Sequence, residues 1–193
     1  MMVKICGITN LDDALAAVEC GASALGFNFW PQSPRYIVPE SARRVIEQLP
    51  PAVWKVGVFV DAKRSAVAET ARTAGLDIVQ LHGREAASDF PEGVRIWKAV
   101  RIRGPFDPAA LAEYPAEALL LDGPQNGVPF DWKLAARTGK KVIIAGGLDA
   151  DNVRSAIAQA RPWGVDACSR LESAPGKKDR GKMAQFLKAA LSS

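Results

Sequence analysis

The sequence predicts an α/β protein: one (β/α)8 TIM barrel, minimal in size, with a closed parallel sheet. Three observations predict it. Eight short β-rich runs recur along the 193 residues, alanine-rich segments of helical character lie between them, and no Pro/Gly/Ser-rich linker interrupts the alternation. Strands that alternate with helices imply parallel neighbours, because parallel strands need crossover connections. Five or six strands would suit an open doubly wound sheet, whereas eight suit closure into a barrel, which abolishes both edges. Barrels of this type typically run to ~250 residues. This chain therefore reads as a barrel with little decoration and as a single domain over residues 1–193.

In chain order, the predicted strands are Val3–Ile8, Ala24–Phe29, Val53–Val60, Ile78–His82, Arg95–Val100, Ala118–Asp122, Lys141–Ala145 and Val165–Ser169. Successive starts are separated by roughly 17 to 29 residues, room for a crossover helix and two loops. After the first strand, Leu11, Leu15 and Val18 share one helical face, and Asn10 with Asp13 can cap its start. Helical segments follow over Ala42–Leu49, Ser65–Ala74 and Asp151–Ala160, with their charges set apart from the apolar positions. The crossover from Arg84 to Pro91 is short and the weakest of these helices. Met183, Phe186, Leu187, Ala190 and Leu191 form one stripe, the pattern of a terminal helix docked on a core.

Composition excludes several function classes. The chain is 48% apolar and 24% charged, ordinary for a protein with a substantial core. Its single histidine, His82, rules out H-E-x-x-H zinc sites and multi-histidine metal clusters. Cys6, Cys20 and Cys168 are odd in number and widely spaced, unlike a disulfide framework, a zinc ribbon or a C-x-x-C centre. Neither G-x-G-x-x-G nor G-x-x-x-x-G-K-S/T occurs. The start, Met1-Met2-Val3-Lys4-Ile5-Cys6, enters a strand-like run without a secretory h-region, and no apolar stretch approaches the ~18 residues of a spanning helix. Free thiols fit a reducing cytoplasm. The net charge of +4 comes from scattered basic residues. Only Arg101-Ile102-Arg103 and Lys177-Lys178-Asp179-Arg180 cluster, without interleaved aromatics, so they read as solvated surface rather than a nucleic-acid or membrane face. An anionic small substrate is equally well served by such a balance.

In a barrel, chemistry belongs at the C-terminal ends of the strands, and the unusual residues fall there. Cys6 lies near the end of strand one, Asn28 near the end of strand two, and His82 closes strand four. Asp122 closes strand six after the doubly buried run Ala118-Leu119-Leu120-Leu121. A carboxylate at such a mouth is either an exposed cap or a group with a raised pKa. Cys6 is either inert core filler or a reactive thiol; it shares strand parity with Lys4, whose ammonium favours a thiolate if the two heads approach. His82 is either a hydrogen-bonded structural imidazole or a base. Cys20, on a helix, reads as filler. Gly146-Gly147 after strand seven are either a tight turn or half of a phosphate cradle, with Ser169-Arg170 after strand eight supplying a hydroxyl and a guanidinium.

Several strings run nearly end to end: Val3-Lys4-Ile5-Cys6-Gly7-Ile8-Thr9, Gly26-Phe27 with Ser33-Pro34-Arg35-Tyr36, Val56-Gly57-Val58-Phe59-Val60 and Gln80-Leu81-His82-Gly83. They continue through Leu120-Leu121-Asp122, Phe130-Asp131-Trp132, Ala145-Gly146-Gly147-Leu148 and Pro175-Gly176-Lys177-Lys178-Asp179. In this order and spacing the strings are specific, and the chain resembles the phosphoribosylanthranilate isomerases. The resemblance implies an Amadori rearrangement in tryptophan biosynthesis, with neither metal nor organic cofactor. It carries N-(5′-phosphoribosyl)anthranilate to 1-(o-carboxyphenylamino)-1-deoxyribulose 5-phosphate. By the same resemblance, Cys6 is the general base, Asp122 the general acid and Arg35 the holder of the anthranilate carboxylate. His82 and Asp166 match family positions near the pocket. The partner implied is a phosphorylated small molecule, with the chain itself a monomer or homodimer.

Two departures from the family pattern stand out. Only Gly123-Pro124-Gln125-Asn126-Gly127-Val128-Pro129 separates Asp122 from Phe130, where the family has a longer glycine-rich loop, so weaker water protection and turnover are expected. Arg170 stands where the family prefers glycine; a left-handed backbone there would be strained by roughly 1–2 kcal/mol, unless Arg170 instead adds charge to the phosphate grip. Strands one and eight are neighbours in a closed barrel, and whether Cys168 lies near Cys6 is a detail the sequence leaves open. Two rivals share the fold: an isomerase of another phosphoribosyl aminoaldose, such as that of the histidine pathway, which typically has aspartate in place of Cys6, and a barrel that binds phosphoribosyl ligands without turnover.

Overall fold

The computed structural model describes residues 1–102, 107, 109–111, 113–123, 132 and 138–192. Eight parallel strands close into a barrel in chain order, with the last hydrogen-bonded back to the first. They are β1 (Met2–Cys6), β2 (Ala24–Asn28), β3 (Trp54–Phe59), β4 (Ile78–Leu81), β5 (Arg95–Arg101), β6 (Ala118–Asp122), β7 (Lys141–Ala145) and β8 (Gly164–Ala167). The helices are α1 (Leu11–Glu19), α2 (Pro39–Ile46), α3 (Arg64–Ala74), α4 (Val153–Ala160) and α5 (Arg180–Leu191). A short antiparallel hairpin, β9 (Glu172–Ala174) with β10 (Lys177–Lys178), follows β8.

Period two sorts the strand residues. Val3 and Ile5 of β1, Leu25 and Phe27 of β2, Leu119 and Leu121 of β6, and Val165 and Ala167 of β8 face outward and pack under the helices. The opposite parity fills the barrel. Met2, Ala24, Val56, Ile78, Trp97, Leu120 and Ile143 form its interior, together with Trp54 and Trp163. The three indoles lie at the N-terminal side, with ring centroids 5.8 to 6.0 Å apart. Arg95 lies 4.8 Å over Trp54, and Lys141 5.0 Å over Trp163, so cations shield the plug from below. Followed towards the C-terminal ends, the inward parity turns polar: Lys4 and Cys6, Gly26 and Asn28, Gln80, Asp122, Asp166. One end of the barrel is a packed plug and the other is a chemically equipped mouth.

The helix boundaries have local causes. Asn10 caps α1, its Oδ1 accepting from the Asp13 N–H at 2.9 Å. The second helix begins earlier than predicted, at Pro39, whose fixed φ suits the first helical position, and it ends before Pro50. Gly75 closes α3 in the left-handed conformation. Met183, Phe186, Leu187 and Ala190 of α5 are buried as predicted, but Leu191 is 48% exposed, because the helix ends and frays there. The connection from Leu81 to Arg95 holds only a single 3-10 turn, Ala87–Asp89, and Ala109–Leu111 is another such turn, so among the described residues four crossovers carry α-helices rather than every one, and α5 follows the last strand. Strand ends also shift. The first strand stops at Cys6 because Gly7 takes φ +75°, the fourth stops at Leu81, and the eighth stops at Ala167, so His82 and Ser169 lie just beyond their strands.

Candidate active site

The mouth is built from the β1–β8 seam outward. Lys4 pairs with Asp166 in the ladder and Ile5 with Ala167, and one step further each chain carries a cysteine, Cys6 and Cys168. All four inward side chains share this corner. Lys4 Nζ donates to Asp166 Oδ1 at 2.9 Å, with both groups buried. Glycine makes room for them: a Cβ on Gly26 would lie 2.7 Å from Cys6 Sγ and 3.1 Å from Lys4 Cε. A Cβ on Gly7 would lie 2.9 Å from Cys168 Sγ.

The electrostatics of the corner follow from one buried cation serving two anions. The Cys168 side chain beside it pulls the Cys6 thiol well below its ordinary range; burial opposes this, and the Lys4 charge assists it. Cys168 is pushed up by Cys6 beside it and by burial, and its S–H donates to Glu172 Oε1 at 3.9 Å. Burial alone would lower the Lys4 ammonium, but Asp166 and Cys6 outweigh it and hold the group charged. Burial pushes the Asp166 carboxyl up to about 7 against the pull of Lys4, and the charges of Cys6 and Asp122 add to the rise.

Arg35 reaches the same corner from the loop after β2. Its Nε and Nη2 fork onto Glu172 at 2.8 and 2.6 Å. The β9–β10 hairpin brings Lys178 to the other side of Glu172, at 3.0 Å, and Lys178 Nζ also lies 3.8 Å from Cys168 Sγ. Burial would raise the Glu172 carboxyl, yet Arg35 and Lys178 hold it below its ordinary value. Lys178 is buried, contrary to its reading as solvated surface: the hairpin folds it under the loop, where Glu172 and the Cys168 carbonyl satisfy it.

Across the mouth, Asp122 ends β6. Its Oδ2 lies 3.3 Å from His82 Nε2 and 3.7 Å from Arg101 Nε, and about a fifth of the side chain is exposed to the cavity. His82 is held by its own N–H, which donates to the Phe59 carbonyl at 2.8 Å. Gly146 and Gly147 have positive φ, and a Cβ on Gly146 would strike the Gly123 N–H at 2.5 Å and Asp122 Oδ1 at 3.2 Å. Asn152 Nδ2 donates to the Gly147 carbonyl at 2.9 Å and fixes the turn. Ser169–Leu171 is a 3-10 turn, so Arg170 sits in right-handed backbone and the strain expected there is not present. Its guanidinium lies at the mouth, 3.7 Å from Asp149.

A cavity of about 1070 Å³ occupies the C-terminal end of the barrel. Cys6, Arg35, His82, Asp122, Gly146, Gly147, Asp166, Ser169 and Arg170, every site residue singled out from the sequence, line it. Asn28, Gln80, Lys98 and Arg101 line it too; Gln80 and Arg101 carry a signal in their inward parity, whereas Lys98 has the outward parity of β5 and its ammonium curls over the strand ends to the Gly83 carbonyl and Glu85. Glu172 was the larger omission, since only the hairpin reveals that it holds Arg35. Pro124–Phe130 and Asp131, which include the shortened loop, lie outside the described residues.

Fold and mouth together define a (β/α)8 barrel with a thiol and a carboxyl facing across one cavity that is rich in cations and glycine turns. The chain belongs to the N-(5′-phosphoribosyl)anthranilate (PRA) isomerase family, whose model matches residues 3–189. It is 52% identical to N-(5′-phosphoribosyl)anthranilate isomerase of Solibacter usitatus, over 98% of this chain and 97% of that one. A solved phosphoribosyl anthranilate isomerase in complex with reduced 1-(o-carboxyphenylamino)-1-deoxyribulose 5-phosphate is similar at 42% identity and TM-score 0.91, covering all of both chains. Monomers generated from the dimeric enzyme of Thermotoga maritima match at 41% identity and TM-score 0.91, again over all of both chains.

Proposed function

We propose that this chain performs its family's isomerisation of N-(5′-phosphoribosyl)anthranilate, with Cys6 as general base and Asp122 as general acid. The carrying observation is that Cys6, from β1, and Asp122, from β6, line one cavity, with Asp166 sensitive to the charge of both. Asp122, as general acid, delivers a proton to the furanose oxygen; the ring C–O bond breaks as the amine lone pair forms a Schiff base. That cation acidifies the C2′ proton, which the Cys6 thiolate removes to give an enolamine, and the enolamine tautomerises to the ketone. Lys4 is the positioning charge that keeps Cys6 a thiolate. Arg35 takes the anthranilate carboxylate, Gly146, Gly147, Ser169 and Arg170 take the phosphate, and His82 and Asp166 orient groups between them, so that substrate is clamped at both ends.

The reading includes a single domain over residues 1–193, no cofactor, no nucleic-acid or membrane partner, a monomer or homodimer, and a cytoplasmic setting. Among the described residues, no helix is long and apolar enough to cross a membrane. The test follows the fluorescence decay of freshly generated phosphoribosylanthranilate with wild type, Cys6→Ser and Asp122→Asn. Wild type is expected to turn over and both variants to lose roughly 100-fold or more. Full activity in either variant would overturn the assigned roles, and an inert wild type would favour a barrel that only binds.

A further inference from the structure

We propose that Cys6 and Cys168 form a modification site, a dithiol that a hydroperoxide closes reversibly into a disulfide across the β1–β8 seam. Cys6 ends β1 and Cys168 directly follows β8, each one step beyond the ladder pair Ile5–Ala167 of these adjacent parallel strands. Lateral neighbours in a sheet lie ~4.8 Å apart, within the span of roughly 4.4–6.8 Å that a disulfide bridges between Cα atoms. Both thiols are partly exposed and both line the cavity. Each has a buried cation on its side: Lys4 beside Cys6, and Lys178 Nζ 3.8 Å from Cys168 Sγ. Cys20 caps the end of α1, away from the cavity, and serves as an internal control.

The chemistry balances in two steps. The Cys6 thiolate attacks the terminal oxygen of the hydroperoxide; an S–O bond forms, the O–O bond breaks, and the leaving alkoxide or hydroxide takes up a proton. This oxidises Cys6 to a sulfenic acid and reduces the peroxide. Cys168 sulfur then attacks Cys6 sulfur; the S–S bond forms, the S–O bond breaks, and the hydroxide leaves as water with the Cys168 proton. A dithiol reductant reverses the bridge. Lys4 favours the first step by stabilising the Cys6 thiolate, and Lys178 partly offsets the burial that pushes the Cys168 thiol up. In the absence of a partner thiol, the sulfenic acid runs on to the irreversible sulfinic state, so Cys168 preserves the sulfur on which turnover depends.

The loss of activity rests on Cys6 being the base, whereas the bridge itself rests only on geometry, so the two are read separately. The full chain is treated with hydrogen peroxide, quenched, and mapped by mass spectrometry without reduction; turnover is measured before and after dithiothreitol. Wild type is expected to give a Cys6–Cys168 linked peptide, an intact mass lighter by two hydrogens, and a turnover loss of about 100-fold that dithiothreitol restores. Cys168→Ser, compared with its own untreated activity, is expected to gain oxygen at Cys6 and to stay inactive after reduction. Absence of the linked peptide from wild type, or equal recovery in Cys168→Ser, overturns the proposal. A linked peptide with undiminished turnover upholds the bridge and overturns the role of Cys6 as base.

Discussion

Lys4 and Asp166 are ladder partners on β1 and β8, joined by a 2.9 Å ion pair at the floor of the cavity, and the next inward position on β1 is Cys6. Barrel parity makes this arrangement unavoidable once the strands pair in this register. The cation that pairs with Asp166 also lies within reach of the thiol above it, and it therefore adds to the thiolate present at neutral pH.

Lys4→Met should raise the Cys6 pKa and move the acid limb of the kcat/KM profile to higher pH. Turnover at pH 7 is expected to fall by roughly tenfold to 100-fold and to recover partly in alkaline buffer. The same change leaves Asp166 buried without its partner, so stability should drop by about 3–5 kcal/mol. Kinetics must be read at a temperature where circular dichroism shows the variant folded. An unshifted pH profile would remove Lys4 from the mechanism.

The Asp166 carboxyl makes stability depend on pH in the unusual direction. In the folded chain it holds a proton up to about pH 7, whereas its ordinary value is 3.8. Between those values the native state binds more proton than the unfolded state, so the stability traceable to this group falls as pH rises. Urea unfolding of wild type and Asp166→Asn over that window should show the wild-type advantage shrinking towards neutrality. A constant difference would contradict the assignment.

Gly26 has no catalytic atom, yet its missing side chain gives Cys6 and Lys4 their positions. Gly26→Ala forces a methyl to within 2.7 Å of Cys6 Sγ in a wall that cannot retreat, because the Cys6 backbone is itself 3.1 Å away. Overpacking of about 1–3 kcal/mol is expected, with kcat reduced and KM little changed. A fall in KM-dependent binding alone, with kcat intact, would argue that the thiol had not moved.

Trp97 belongs to the opposite end of the molecule. Fully buried between Trp54 and Trp163, it fills the barrel below the chemistry. Trp97→Ala should destabilise by about 3–5 kcal/mol in thermal or denaturant unfolding. Enzyme that remains folded at low temperature should keep kcat within a few-fold of wild type.

The legible part of the site was the part that parity governs. Cys6 and Asp122 sit at inward positions near strand ends, and a period of two read from an apolar run is enough to place such residues at one mouth, whereas Asp166 was implied only by the family resemblance. Lys178 and Glu172 were opaque for the opposite reason. They lie in a hairpin whose turn, at Pro175-Gly176, has no period, so nothing local shows that one lysine of a basic cluster folds inward to meet a carboxylate.

From the sequence alone followed the count of strands, their order, and therefore closure: eight βα repeats without a linker leave few other ways to pair every strand edge and bury both faces. Pairings across the seam were decided only by the tertiary structure. That Lys4 spends its charge on both Asp166 and Cys6, that Arg35 rests on Glu172, and that Cys168 and Cys6 line one cavity depend on register between segments more than 130 residues apart in the chain. A register of that kind is set by how all eight strands tilt and stagger to close, a collective condition that no single stretch of sequence encodes.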